Sequence, residues 1–155
     1  MNQDWLDFLA ELQAAGVRFL VVGAHALAVH GVPRATVDLD VWVDPTQDNA
    51  ERVVRALAAF GAPAEALGIT REDFTHRDTV AQFGLPPRRI DVMTSVSGID
   101  AFEEAWAQRV VDDVGPVGGV AFIGRDALVA NKRASARKKD LADVEALNSR
   151  GVGGA

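Results

Sequence analysis

Hydrophobic and polar positions along this chain follow two rhythms, and the changes between them mark the elements. Trp5, Phe8, Leu9 and Leu12 fall at helical spacing over residues 4–15, and Gly16 closes that helix. Residues 17–22 form a short run rich in β-branched and aromatic side chains, which predicts a strand ending at Gly23. Residues 24–30 read as a second helix, stopped by Gly31 and Pro33. Residues 37–44 switch to period two: Val37, Leu39, Val41 and Val43 face one way, and Asp38, Asp40, Trp42 and Asp44 the other. A third helix spans 47–60, starting after Pro45-Thr46 and ending at Gly61.

The second half is more broken. Residues 62–78 carry mixed signals and are expected as a loop or short helix, while 80–85 and 88–94 predict a hairpin joined through Pro86-Pro87. A short helix over 99–106, a strand over 109–114, a turn at Gly115-Pro116 and a strand over 120–123 follow. Helices over 125–134 and 139–149 close the chain before a glycine-rich tail at 151–155, expected to be flexible. There is no internal repeat and no long linker. The pattern predicts one domain over 1–150, of α+β (mixed α/β) class, with a small mixed sheet flanked by helices.

Composition agrees with a single globular unit: 155 residues, 48% hydrophobic and 25% charged, are enough to bury a core. The absence of cysteine excludes disulfides and thiolate-bound zinc. The longest charge-free apolar stretch, 19–32, is broken by His25 and His30 and is too short to span a bilayer. The opening Met1-Asn2-Gln3-Asp4 lacks the basic start of a signal peptide, so a cytoplasmic protein with no membrane partner is expected. A net charge of −6 argues against a broad electrostatic grip on nucleic acid. Yet Lys132, Arg133, Arg137, Lys138 and Lys139 place five of the 16 basic residues close together. That segment reads either as a solvated helix end or as a cationic patch suited to a polyphosphate.

The strand carrying Asp38-Leu39-Asp40 is where chemistry enters. Carboxylates two apart on a strand share a face, about 7 Å apart at Cβ. Together they suit a hard divalent cation, which relieves their mutual repulsion. Three neighbours strengthen that reading. Val21-Val22-Gly23 ends a strand and opens a helix, so the backbone at Gly23 and Ala24 can face a phosphate. Arg89-Ile90-Asp91-Val92-Met93 puts a third carboxylate on another strand, where Asp91 could complete a metal cage or take a proton from an attacking hydroxyl. Arg34 and Thr36 precede the aspartates in the pattern Arg-x-Thr-x-Asp-h-Asp, where h is apolar.

Gly23-Ala24, thirteen residues, then Asp38-Leu39-Asp40 resembles the signature of the nucleotidyltransferase superfamily of DNA polymerase β type. The stretch from Val22 to Gly31 and on through Arg34 to Asp38 is similar to the small bacterial AbiEii-type and related minimal nucleotidyltransferases. The closing Lys132-Arg133-Ala134 and Arg137 to Asp143 resemble that group's last helices. The resemblance implies a minimal nucleotidyltransferase fold and a Mg2+-dependent transfer of a nucleoside monophosphate from a nucleoside triphosphate to a hydroxyl. It implies metal binding by Asp38, Asp40 and Asp91, with Asp91 also helping to activate the acceptor. It implies nucleotide contacts from Gly23, Ala24, Arg34, Thr36 and Lys132, the last neutralising phosphate charge. The acceptor it implies is RNA (transfer RNA) or protein in a toxin–antitoxin-like setting, with a cognate antitoxin or toxin as partner. A small-molecule (antibiotic) acceptor and a non-catalytic nucleotide- or partner-binding domain are the rival readings. Ala24 favours the last, since many members carry serine or a second glycine there and alanine offers no hydroxyl.

The remaining candidates read as structural. His25 and His30 lie five apart on a helix, a poor spacing for one metal, and are expected to pack or hydrogen-bond. Trp5, Trp42 and Trp106 are expected in or at the edge of the core, although Trp42 shares the aspartate face and could lie against a base. Asp140 and Asp143 are expected to cap the last helix or to pair with Arg137 and Lys139.

Overall fold

A computed structural model of the chain describes residues 1–153, with side chains through 149. In chain order the regular elements are α1 (Gln3–Ala14), β1 (Phe19–Val22), α2 (Gly23–Val29), β2 (Asp38–Val43), α3 (Gln47–Phe60), β3 (Val80–Phe83), β4 (Arg89–Met93), α4 (Phe102–Ala107), β5 (Val110–Asp113), β6 (Gly119–Phe122), α5 (Arg125–Ser135) and α6 (Lys138–Gly153). The uncertain stretch at 62–78 holds two 3-10 turns, Ala64–Leu67 and Glu72–Thr75. This is the expected α+β class: six helices flank a mixed six-stranded sheet of order β3-β4-β2-β1-β6-β5. No helix among the described residues is long and apolar enough to cross a membrane.

Local chemistry explains where the elements start and stop. The Asn2 side chain accepts the Trp5 N–H at 2.9 Å and caps α1. Thr46 does the same for α3 through Asn49 N–H at 3.3 Å, and Gly61 ends α3 in the left-handed region. Ala136, at φ 54°, makes the bend between α5 and α6. Helix α6 runs past the expected stop at 149, because a glycine costs a helix only about 1 kcal/mol and does not end it alone. The tail expected to be flexible therefore starts within α6, and residues 154–155 lie outside the described residues.

Two strand pairings position the site. β1 runs antiparallel to β2, with Val22 opposite Asp40. β2 runs parallel to β4, with Asp38 opposite Arg89, Leu39 opposite Ile90 and Asp40 opposite Asp91. The hairpin partner β3 places Phe83 opposite Ile90. Phe83 therefore shares the Leu39 face, and Phe8 of α1 packs on it with ring centroids 5.5 Å apart. Phe8 also meets Phe60 of α3 at 5.2 Å, so α1 and α3 seal that face over the fully buried Leu39, Val41 and Val43.

The other face is divided. Trp42 is buried, meeting Phe102 of α4 edge-on at 5.2 Å, which makes it core and removes it as a platform for a base. Asp44, next on that face, is buried against Arg18 at 3.0 Å. Only the N-terminal half of β2, at Asp38 and Asp40, stays open. Val37, expected to begin this strand on the Leu39 face, is instead 45% exposed and precedes it.

Candidate metal centre and its cleft

Parallel, in-register pairing turns three distant carboxylates into one cluster. Asp38 and Asp40 share a face of β2, and the register sets Asp91 of β4 beside Asp40. Side-chain oxygens of the three lie within 4.8 Å of one another. The three residues could hold a metal ion. The donors are all oxygen, the set that hard divalent cations prefer. Asp91 Oδ1 is buried with no hydrogen-bond partner, as a carboxylate oxygen fitted to a cation would be. Burial first, then the charges of Asp91 and Asp38, push the Asp40 carboxyl up to about 7.

Gly23 is built into this cluster. Its φ of +69° is left-handed, and a Cβ there would fall on the Asp40 carboxylate. The glycine therefore makes room for the aspartate itself. Gly23 and Ala24 line a cleft of about 680 Å3, with Asp38, Asp40, Arg34 and Thr36 on the same wall. Asp91 is set back from that wall, its side chain 14% exposed. The Thr36 hydroxyl donates to the Asp38 carbonyl at 2.9 Å and accepts the Asp38 N–H at 3.1 Å, bracing the start of β2.

The opposite wall comes from α5 and α6. Lys132 is buried, its Nζ 3.3 Å from Asp140 Oδ1 and 3.3 Å from Asp143 Oδ2. Asp140 and Asp143 are themselves buried. Asp140 also pairs with Arg137 at 2.7 Å, and Asp143 with Arg34 at 2.6 Å. Burial would raise the Asp140 carboxyl, but the hydrogen bonds from Arg137 and Lys132 outweigh it and hold it below its ordinary value. Lys132 is thus the centre of a buried ion network and not a solvated cation. The expected pairing with Arg137 exists at Asp140, Lys132 and Arg34 supply the other partners, and among the described residues Lys139 joins none of them.

The histidines behave as expected. His25 stacks edge-on to Trp5 with centroids 4.9 Å apart, and burial lowers its pKa. His30 Nε2 lies 2.8 Å from the Ile123 carbonyl.

Sequence reading missed Arg89 as a member of the site. Its Nη2 donates to Asp38 Oδ2 at 2.7 Å, and its Nε sits 2.7 Å from Asp38 Oδ1 without the alignment of a hydrogen bond. The same Nε is 4.0 Å from Asp91 Oδ1. Period-two spacing of Arg89 and Asp91 was the available signal, since it puts both on one face.

No family model matches the chain, and no curated protein matches it either.

Proposed function

We propose that the protein is a magnesium-dependent nucleotidyltransferase that moves a nucleoside monophosphate from a nucleoside triphosphate to a hydroxyl acceptor. The observation that carries this reading is the convergence of Asp38, Asp40 and Asp91, within 4.8 Å, with Asp38 and Asp40 lining a cleft of about 680 Å3 and Asp91 just behind them. That volume suits a nucleotide-sized ligand. Magnesium is the ion chosen because it is hard, oxygen-seeking and the usual companion of triphosphates. A divalent cation held by the three carboxylates would supply charge neutralisation and Lewis-acid polarisation at the phosphates.

The chain's own groups do the rest. Gly23 and Ala24 bring backbone close to the carboxylates and the cleft, and Lys139 is a cation of its lining that no carboxylate engages among the described residues. The acceptor O–H attacks the α-phosphorus, the bond to the bridging oxygen breaks, and pyrophosphate leaves. The proton passes to the Asp91 carboxylate, beside Asp40. RNA, such as transfer RNA, or protein is the acceptor class favoured, in a toxin–antitoxin-like pairing with a cognate partner. A cytoplasmic setting, where triphosphates are plentiful, suits this reading.

One observation supports a second reading, a non-catalytic nucleotide- or partner-binding domain. Ala24 offers no hydroxyl to a phosphate, and Arg34 and Lys132 are already engaged by carboxylates. An acceptor screen separates the two. Each labelled nucleoside triphosphate, with Mg2+, is offered to transfer-RNA, protein and small-molecule pools. Nucleotide-dependent labelling of one pool supports transfer. Saturable nucleotide binding with no labelling of any pool supports the binding domain.

A further inference from the structure

The cluster of Asp38, Asp40 and Asp91 already faces a cation of its own, the Arg89 guanidinium. Its Nη2 donates to Asp38 Oδ2 at 2.7 Å, its Nε lies 2.7 Å from Asp38 Oδ1, and the same Nε approaches Asp91 at 4.0 Å. The backbone beneath it is pinned on two sides. Arg89 N–H donates to the Val37 carbonyl at 3.1 Å, and Trp5 Nε1 of α1 donates to the Arg89 carbonyl at 3.1 Å. The side chain above is about a third exposed, at 32%. The guanidinium can therefore leave Asp38 for water by side-chain rotation alone, with β4 and Asp91 staying in place.

We infer that Arg89 is an internal counter-ion that competes with the divalent cation for Asp38, and so holds the affinity of the metal centre below what its three carboxylates would give. The inference rests on the cation site of the proposed function and deepens it by assigning what regulates loading. The physical reason is simple. A fixed positive charge beside a binding cation repels it across a partly buried space, and both need the same two oxygens. Arginine is suited to the role because its planar fork matches a carboxylate and keeps its charge at every working pH. The opposite role is a positioning one, in which Arg89 aims Asp38 at the metal. The two roles predict opposite signs.

The test uses the full chain, freed of metal, with Mn2+ or Mg2+ alone as the probe. Calorimetric titration at about pH 8 keeps the carboxylates ionised. Arg89→Gln should bind Mn2+ about tenfold tighter or more, and its melting temperature should rise further on Mn2+ addition than that of the parent chain. Arg89→Lys keeps the charge but cannot fork across both oxygens, so its affinity should fall between the two. Unchanged or weaker binding by Arg89→Gln overturns the inference, weaker binding pointing to the positioning role. Should Arg89→Gln fail to fold by circular dichroism, Arg89→Lys decides: tighter binding than the parent supports the inference, and equal or weaker binding overturns it. The readout needs no nucleotide, so it is independent of whether transfer occurs. Failure of parent and variants alike to take up either metal overturns the inference together with the cation site.

Discussion

Replacing Lys132 with alanine should destabilise the fold, and the size of the effect can be worked from its neighbours. Its ammonium lies 3.3 Å from each of two carboxylates whose side chains are 0% and 5% exposed. Stripping the only partner from a buried charge costs about 3–5 kcal/mol. Here Asp140 keeps Arg137 at 2.7 Å and Asp143 keeps Arg34 at 2.6 Å, so neither acid is left bare. The cost should therefore sit lower, at about 2–3 kcal/mol, with part of it from the lost packing of the lysine stem. For a domain of this size that lowers the melting temperature by roughly 4–12 °C. Thermal unfolding followed by circular dichroism measures it, with Arg133→Ala as control because Arg133 is exposed on the same helix. That control should stay within about 0.5 kcal/mol of the parent. Equal stability of the Lys132 and Arg133 variants would refute the buried-network reasoning.

Other perturbations probe the carboxylate cluster. Gly23→Ala should cost about 1–2 kcal/mol for its left-handed backbone and, by displacing the Asp40 carboxylate, should also weaken Mn2+ binding at least about tenfold. Gly61→Ala, at φ +97° with nothing within 4 Å of the added atom, should pay the backbone cost with Mn2+ affinity unchanged; parallel losses of affinity would contradict the placement of Gly23. The raised Asp40 carboxyl gives a pH signature. Between its ordinary 3.8 and about 7, the native state of metal-free protein holds a proton that the unfolded chain has released. Stability contributed by this group therefore falls as pH rises through that window, by on the order of a few kcal/mol in all. Asp40→Asn does not titrate, so its stability relative to the parent should grow with pH from about 4 to about 7 in denaturant unfolding, and a pH-independent difference would contradict the shift. Mn2+ affinity of the parent should drop by about tenfold per pH unit below 7, and a flat profile would count against Asp40 as a ligand.

How much was legible in the chain depended on whether the cause was local. The alternation through Leu39, Val41 and Val43 announced β2 because one face of that strand is pure core. The same alternation put Asp38, Asp40 and Trp42 together, yet it could not say where the cover over that face begins. Helix α4 shields Trp42 through Phe102 and stops short of the aspartates, and that is a tertiary fact. The hairpin through Pro86-Pro87 carried Asp91 to the right face by period-two reasoning alone. The role of Arg89 depended on the parallel register of β2 with β4, which joins residues 51 apart. The buried ion pairs of Lys132 were hidden for a similar reason. A basic run on a helix looks solvated until the packing of α5 against α6 sets Asp140 and Asp143 over it. At Gly23 the atom that an added Cβ would meet belongs to Asp40, a contact that no local pattern announces.

The central claim, nucleotidyl transfer at the three-carboxylate centre, is tested most directly by where a label travels. Nucleoside triphosphate labelled at the α- or the γ-phosphate is supplied with Mg2+ to the parent chain and to Asp38→Asn, Asp40→Asn and Asp91→Asn, across RNA, protein and small-molecule acceptors. The account predicts that α-label enters one acceptor pool, that γ-label leaves as pyrophosphate, and that each variant abolishes both. Label reaching the acceptor from the γ position, no α-label in any pool, or transfer that survives loss of these carboxylates would contradict it.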